Sequence, residues 1–181
     1  IIDSVPPKVT LLSLLGGEMF GKSGKEFIQW SATDEILMDL SVNIEFSADA
    51  GKTWVPVANN LKNTGLYEWV MPANINSSDC KVKVSALSVT GARGEAVTAG
   101  LFTIDTAEPF IKATEPVVSN LRPVVISCVA DDKGPAGIKE VDVYVSRNMG
   151  QSWELFRTVS YAEIKDSAIQ LILADNRYSI F

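Results

Sequence analysis

Histidine is absent from this chain of 181 residues, and only two of its residues are cysteines. Histidine is the commonest general base and the commonest metal ligand in proteins. Its absence therefore excludes a Ser-His-Asp triad, a Cys-His dyad and a histidine zinc site within the chain. Cys80 and Cys128 lie in apolar runs of what we interpret as two separate domains. We expect both to be free thiols that pack as small hydrophobic side chains.

Basic residues are also scarce, since 16 Lys and Arg face 22 Asp and Glu and give a net charge of -6. Nucleic-acid binding needs clustered cations that neutralise phosphates. No run of about 18 apolar residues occurs, which is the length that a membrane helix requires. The sequence therefore predicts no nucleic-acid partner and no membrane span.

The sequence contains an internal repeat. The run Ile-Asp-Ser-Val-Pro-Pro at 2–7 recurs as Ile-Asp-Thr-Ala-Glu-Pro at 104–109, so Asp3 and Asp105 are 102 residues apart. A second marker, the segment from Ser47 to Trp54, recurs at Ser146 to Trp153 with an offset of 99 residues. A repeat of about 100 residues has the size of a small β-sandwich domain.

The repeat predicts two domains joined by short linkers. We place a linker from a preceding domain at 1–7, a first sandwich at 8–104, a second linker at 105–109 and a second sandwich at 110–181. By the 99-residue offset, the chain ends before a full sixth strand and a seventh strand of the second sandwich. We therefore expect that sandwich to be incomplete at its C-terminus, where an unpaired edge invites strand exchange with another molecule.

Alternating apolar and polar residues predict short strands throughout, each with one buried face. Clear alternation occurs at 42–46, 80–86 and 141–145. Other expected strands are 9–15, 26–32, 54–58, 65–70, 101–104, 124–130, 153–159 and 169–173. Single helical turns are expected near 34–40 and 162–166. The predicted fold class is all-β, with two tandem immunoglobulin-like or fibronectin type III-like antiparallel sandwiches.

The inner faces of these strands give the expected cores. The first core should contain Leu12, Phe20, Ile28, Trp30, Ile44, Phe46, Trp54, Val57, Trp69, Val82, Val84, Phe102 and Ile104. The second should contain Ile126, Cys128, Val141, Val143, Val145, Trp153, Phe156, Ile169, Leu171 and Leu173.

One motif is specific. The segment Ser-Ala-Asp-Ala-Gly-Lys-Thr-Trp matches the Asp-box pattern Ser-x-Asp-x-Gly-x-Thr-Trp at Ser47, Asp49, Gly51, Thr53 and Trp54. A degenerate copy has Ser146, Asn148, Gly150, Ser152 and Trp153. In a tight hairpin the acidic or amide side chain accepts backbone N–H bonds, the glycine takes a positive φ and the indole packs inward. We interpret the motif as a folding device.

Around the first hairpin, the chain resembles a known family. Residues 9–13, 16–21, 28–30, 63–72 and 80–86 follow one another in the order seen in the Ig-like module of bacterial secreted and surface proteins. That module is similar to the Ser/Thr-rich GPI-anchored cell-wall-assembly family. The resemblance covers about 8–104 and is looser in the second domain. It implies tandem β-modules on exported proteins, and it supplies no catalytic residue.

Two sharper site hypotheses compete with structural roles. Asp131, Asp132 and Asp142 could gather around a calcium ion, which prefers several oxygen ligands, or form a solvated acidic loop. Four aromatic residues, Trp30, Trp54, Tyr67 and Trp69, could offer a platform for a sugar. The alternative is that the three tryptophans fill the core while Tyr67 is exposed.

The function that these features favour is a non-catalytic structural or adhesive spacer in an exported or cell-surface bacterial protein. The alternative is an accessory carbohydrate-binding module of a larger polysaccharide-active enzyme. We expect no catalytic residue, cofactor or metal. The expected partners are neighbouring domains of the same polypeptide, and the candidate external ligands are a polysaccharide or a surface protein.

Overall fold

The computed structural model describes residues 5–22, 24–113, 124–164, 168–171 and 179–180. These residues form strands almost everywhere, and they include one single-turn helix. The chain divides into two compact units, the first comprising Ile1–Ala107 with Gly134–Ala136 and the second Glu108–Lys133 with Gly137–Phe181. The all-β prediction is confirmed.

Two sheets form the first unit. The three-stranded sheet has the order β1-β3-β6 and consists of β1 (Lys8–Leu11), β3 (Lys25–Thr33) and β6 (Leu66–Val70). The larger sheet has the order β2-β9-β7-β4-β5, with β8 also paired to β7. Its strands are β2 (Met19–Phe20), β4 (Leu37–Ser47), β5 (Val55–Leu61), β7 (Asn76–Ser88), β8 (Arg93–Val97) and β9 (Phe102–Asp105).

Alternation along the strands creates the core of this unit. In β3, buried Ile28, Trp30 and Ala32 alternate with exposed residues, as expected for a sheet that is covered on one face. The same pattern buries Ile44 on β4 and Val84 on β7, which lie opposite each other in the ladder. The expected core residues that are buried in this unit are Ile28, Trp30, Ile44, Phe46, Trp69, Val82, Val84, Phe102 and Ile104.

The described residues of the second unit form two three-stranded sheets. One has the order β10-β11-β14, with β10 (Phe110–Ala113), β11 (Val124–Asp131) and β14 (Ala168–Leu171). The other has the order β13-β12-β15, with β12 (Glu140–Ser146), β13 (Glu154–Ser160) and β15 (Ser179–Ile180). A single-turn helix, α1 (Tyr161–Ile164), follows β13 close to the turn expected near 162–166. Cys128, Val143, Val145 and Ile169 are buried as expected, while Leu173 and the side chain of Leu171 lie outside the described residues.

Several expected core residues are not buried. Leu12 is 55% exposed because Val9 and Leu11 are the inward positions of β1, so the alternation places Leu12 on the opposite, solvent-facing side. Phe156 is 40% exposed and lies where the pairing of β12 with β13 shifts register, which turns its side chain out of the inner row. The partly buried members of the expected set are Phe20, Trp54, Val57, Ile126 and Val141.

The prediction of a helical turn near 34–40 is wrong. Asp34 accepts a hydrogen bond from the Ile36 N–H at 2.8 Å, which forms a local turn, and β4 begins at Leu37. An aspartate side chain that bonds its own backbone two residues on competes with helix formation. The extended pairing of Leu37 with Ser88 then continues the sheet.

Both cysteines are free and buried. Cys80 lies in the first unit and Cys128 in the second. Burial raises the pKa of both thiols, because the low-dielectric interior disfavours the thiolate. They act as core side chains, as the sequence predicts.

Candidate functional site

The hairpin between β4 and β5 is closed by side chains. One carboxylate oxygen of Asp49 accepts the Ser47 hydroxyl at 2.7 Å and the Thr53 N–H at 2.8 Å. The other accepts the Thr53 hydroxyl at 2.6 Å. Ser47 Oγ in turn accepts the Gly51 N–H at 2.8 Å. Four residues of a single turn are therefore tied together by one carboxylate and one hydroxyl.

Backbone conformation explains the small residues at the tip of this hairpin. Ala50 and Gly51 have φ values of 60° and 89°, both in the left-handed region. A Cβ at Gly51 would lie 3.3 Å from Cζ2 of Trp54, closer than ordinary van der Waals contact. Glycine is needed here because it adopts positive φ without a steric cost and leaves room for the indole.

These hydrogen bonds lower the pKa of Asp49 to about 2. The largest cause is the hydroxyl of Thr53, followed by the backbone N–H of Thr53 and the hydroxyl of Ser47. Donors that satisfy a carboxylate favour its charged form. A carboxylate held in this way is a poor proton acceptor at neutral pH, so its chemistry is that of a structural anchor.

The hairpin between β12 and β13 has an equivalent set of bonds with an amide in place of the carboxylate, and the bond to the hydroxyl of Ser152 runs in the opposite direction. Asn148 Oδ1 accepts the Ser146 hydroxyl and the Ser152 N–H, both at 2.9 Å. Asn148 Nδ2 donates to Ser152 Oγ at 2.8 Å, and the Gly150 N–H donates to Ser146 Oγ at 2.8 Å. Met149 takes the left-handed conformation with a φ of 58°.

The two tryptophans of the hairpins do not enter the cores, so the expected inward packing is wrong. Trp54 is half-buried, and Nζ of Lys83 lies 4.4 Å from the centroid of its ring. Trp153 is 41% exposed, and a Cβ at Gly150 would lie 3.6 Å from its Cζ2. Each indole covers the glycine of its own hairpin. Both residues precede the first residue of the next strand, so strand alternation does not direct them inward.

The aromatic residues do not form a common platform. Trp30 and Trp69 are buried, and the Trp30 Nε1–H donates to Asn63 Oδ1 at 3.0 Å. Tyr67 is half-buried and packs against the core. Of the four candidates, Tyr67 and the buried Trp69 border the shallow groove that lies between β5 and β6, whereas Trp30 and Trp54 do not.

Two of the three aspartates proposed for calcium, Asp131 and Asp142, make contacts with other side chains. Asp131 pairs with Lys133 at 2.5 Å, and that hydrogen bond and charge lower the pKa of Asp131. Asp142 accepts the Thr158 hydroxyl at 2.7 Å. Among the residues that the structure describes, no group of three or more acidic or cysteine side chains is arranged to hold a metal ion.

A second feature, which the sequence reading missed, joins the two ends of the first unit. β2 pairs with β9 in parallel, with Met19 opposite Thr103 and Phe20 opposite Ile104. Gly17 N–H donates to the Leu101 carbonyl at 2.8 Å. We call this pairing of residues 15–20 with residues 100–104 the terminal clasp.

Glu18 fixes the backbone of the turn that leads into the terminal clasp. Its two carboxylate oxygens accept the N–H groups of Leu15 and Gly16, each at 2.8 Å. Gly16 has a φ of 118°, and a Cβ there would lie only 2.5 Å from the Cα of Gly100. The Gly-Gly-Glu run at 16–18 is the signal that could have indicated it, because paired glycines suggest positive φ or close backbone contact.

No protein-family model matches this chain, and no curated protein matches it. Within the described residues, no helix is long and apolar enough to cross a membrane. Among solved structures, the chain is similar to fibronectin(III)-like modules of CbhA from Clostridium thermocellum. The sequence identity is 20%, the TM-score is 0.41, and the match covers 96% of this chain and 83% of that one.

Proposed function

We propose that this chain is a non-catalytic spacer segment of an exported or cell-surface bacterial protein, and that its first unit resists tension along its length. Its partners are the neighbouring domains of the same polypeptide. The observation that carries this proposal is the terminal clasp, in which β2 near the start of the unit runs parallel to β9 at its end.

Parallel pairing matters because of how force would act on it. Tension at the start of the unit first loads β1, which precedes β2 and pairs with β3. Once β1 is released, the force pulls β2 and β9 in opposite directions along their common axis. The hydrogen bonds between them are then loaded together in shear. The Gly17–Leu101 bond and the bond from the Thr103 N–H to the Glu18 carbonyl, at 2.9 Å, must break at nearly the same moment.

The two hairpins also favour a structural role, because their polar side chains are used to close the turns. In the first hairpin the carboxylate of Asp49 is used to close the turn, and in the second the amide of Asn148 does so. Export rests on the resemblance that the sequence motifs of residues 8–104 suggest, which no protein-family model reproduces. The carbohydrate-binding alternative has less support, because Trp30 and Trp69 are buried and Lys83 lies over the ring of Trp54.

Single-molecule stretching tests the proposal. The whole chain is held in optical tweezers between handles at its two ends, and the force at which the first unit unfolds is recorded. In a second geometry the C-terminal handle is moved to Asn59→Cys on β5, which is the outer strand of its sheet. We expect a lower unfolding force in the second geometry, because β5 is then peeled from the sheet one bond at a time.

A matched pair of variants tests the clasp itself. Glu18→Ala removes the acceptor for two backbone N–H groups, whereas Glu35→Ala makes the same change at an exposed residue for which no such contact is seen. We expect Glu18→Ala to lower the unfolding force in the end-to-end geometry and Glu35→Ala to leave it unchanged. Equal forces for Glu18→Ala and the natural chain, or equal forces in both geometries, would contradict the proposal.

A further inference from the structure

The outer edge of β6 presents unpaired backbone groups. In the part of the chain that the structure describes, β6 pairs with β3 on one side only. The Trp30 N–H donates to the Gly65 carbonyl at 3.1 Å, and the Met71 N–H donates to the Gly24 carbonyl at 3.3 Å. These two bonds fix which pairs in the β3–β6 ladder are hydrogen-bonded.

Antiparallel partners alternate between hydrogen-bonded and non-hydrogen-bonded pairs. Counting inward from both ends of β6, the residues that point their N–H and C=O groups away from β3 are Leu66, Glu68 and Val70. The Leu66 carbonyl accepts the Thr64 hydroxyl at 3.0 Å, which agrees with this direction. A row of outward groups of this kind is a template for another strand.

Apolar side chains flank this edge on the solvent face of the sheet. Phe27 and Leu66 are each 47% exposed, and Val70 is 66% exposed. Glu68 lies between Leu66 and Val70, directly opposite Phe27 in the ladder, and it pairs with Lys25 at 2.6 Å. On the solvent face of β6, the acidic Glu68 is therefore flanked by the apolar residues Leu66 and Val70.

A groove lies on the other side of the same edge, between β6 and β5. It has a volume of about 270 Å³, below the roughly 300–1,000 Å³ that drug-sized ligands occupy. A groove of this size suits side chains of a chain that lies along it. The surface of the groove is divided almost evenly between polar and apolar atoms, and its lining residues are Phe46, Val55, Pro56, Val57, Tyr67, Glu68, Trp69, Val70 and Pro72.

We propose that the free edge of β6 binds an extended segment of another protein as an added strand, with a basic residue opposite Glu68 and apolar residues on either side of it. The backbone of the segment would bond Glu68 and Val70. Residues adjacent to the basic one would point into the groove, and the next residues outward would contact Leu66 and Val70. Main-chain bonds give affinity in this mode of recognition, and alternate side chains give specificity.

Charge selects a basic segment over a second copy of this chain. Antiparallel pairing of β6 with itself around its centre would place Glu68 opposite Glu68, and like charges directly opposite are destabilising. The net charge of -6 adds repulsion between copies. A lysine or arginine opposite Glu68 avoids the contact between like charges and shares the Glu68 carboxylate with Lys25.

The test uses a dye-labelled, end-capped synthetic peptide of sequence Thr-Val-Ile-Lys-Ile-Val-Thr, titrated with the whole chain and followed by fluorescence anisotropy. Two matched peptides carry glutamate in place of lysine, or N-methyl groups on alternate backbone amides. We expect both changes to weaken binding at least tenfold. Amide exchange of Glu68 and Val70 should slow when the lysine peptide is bound.

Variants of the chain complete the test. Val70→Pro removes an N–H that points to the free edge and no bond to β3, since proline is tolerated on an edge strand where its nitrogen faces solvent. We expect it to abolish binding. Glu68→Lys should reverse the preference between the lysine and glutamate peptides, while Glu95→Lys, the same charge change on exposed β8, should leave it unaltered.

Three results would overturn the inference. One is the absence of binding by the lysine peptide at millimolar concentration. Another is equal binding of the lysine and N-methylated peptides, which does not depend on whether any variant folds. The third is concentration-dependent dimerisation of the natural chain, measured by sedimentation and lost in Val70→Pro, because the occupant of the edge would then be a second copy.

Discussion

Asp49 and Asn148 hold equivalent positions in two hairpins, and each organises its turn with a different donor pattern. Asp49 only accepts hydrogen bonds, so the hydroxyl of Thr53 must donate to it. Asn148 carries both kinds of group, and its Nδ2 donates to the hydroxyl of Ser152. A serine or threonine hydroxyl can serve in either direction. The hairpin geometry is therefore compatible with either side chain, and only the first hairpin depends on a charge.

Acid should weaken the first hairpin through Asp49. Its folded-state pKa of about 2 lies below the usual 3.8, so the charged form is favoured by folding. The resulting stabilisation is present above about pH 4 and is lost as the pH falls through 2. We expect the NMR titration of the Asp49 carboxyl to have a midpoint near 2, with the amide of Thr53 losing protection in the same range.

Asp49→Asn is the matched variant for this prediction. The amide should donate to Thr53 as Asn148 donates to Ser152, so the chain should fold and its stability should lose the part of its acid dependence that Asp49 contributes. Asp39→Asn, at an exposed residue of β4, should keep the acid dependence of the natural chain. An unchanged pH profile in Asp49→Asn would contradict the assignment of the effect to this carboxylate.

At the scale of elements, β4 and β7 form the centre of the larger sheet in the first unit. Ile44 on β4 and Val82 and Val84 on β7 are fully buried, and the register places Ile44 opposite Val84. Side chains in such a pair are in contact with both the neighbouring strand and the facing sheet. Their removal leaves a cavity that the surrounding strands cannot easily close.

Ile44→Ala should destabilise the first unit by about 2–5 kcal/mol, because it removes buried methyl and methylene groups and leaves a cavity. Val89→Ala, at a residue that is 59% exposed, should change stability by less than about 0.5 kcal/mol. Urea unfolding with the same slope for both variants checks the comparison. Similar losses for the two variants would show that Ile44 is not a core residue.

Two substitutions in the terminal clasp can distinguish the cost of a steric contact from the cost of backbone strain. Gly16 and Gly17 have φ values of 118° and 90°, so an alanine is strained at either position. Only at Gly16 would a Cβ also meet another chain segment, the backbone of Gly100. We expect Gly16→Ala to lower the free energy of unfolding more than Gly17→Ala in urea titrations. Equal losses would mean that the close approach of residues 16 and 100 carries no stability.

At the scale of the whole molecule, each of the two units has a hydrophobic core of its own. Val82 belongs to the cluster of buried side chains in the first unit, and Val143 belongs to the cluster in the second. Burial of apolar surface is the main stabilising term in folding. Damage to one core should therefore destabilise its own unit.

Hydrogen exchange measured along the chain tests this independence. Ile44→Ala removes part of the first core, so it should accelerate exchange at the amide of Val82, in the first unit, and leave the amide of Val143, in the second, unchanged. A joint response of the two amides would indicate a single cooperative unit.

Much of the fold follows from local pattern. The period of two along 42–46 and 80–86 predicts strands and their buried face, and both are observed. The directions of Trp54 and Trp153 could not be predicted in this way, because each lies in a turn where alternation does not apply. The parallel pairing of β2 with β9 joins residues more than 80 positions apart. Such a contact depends on the path of the whole chain and leaves little trace in local composition.

Because either an amide or a carboxylate can close this kind of turn, the second hairpin should tolerate deamidation of Asn148. Asparagine side chains can lose ammonia slowly, which gives aspartate or isoaspartate. At position 148 the product would meet the hydroxyl of Ser152, which can rotate to donate as Thr53 does to Asp49. Deamidation to aspartate there would add a negative charge that isoelectric focusing detects, while the turn itself would stay closed.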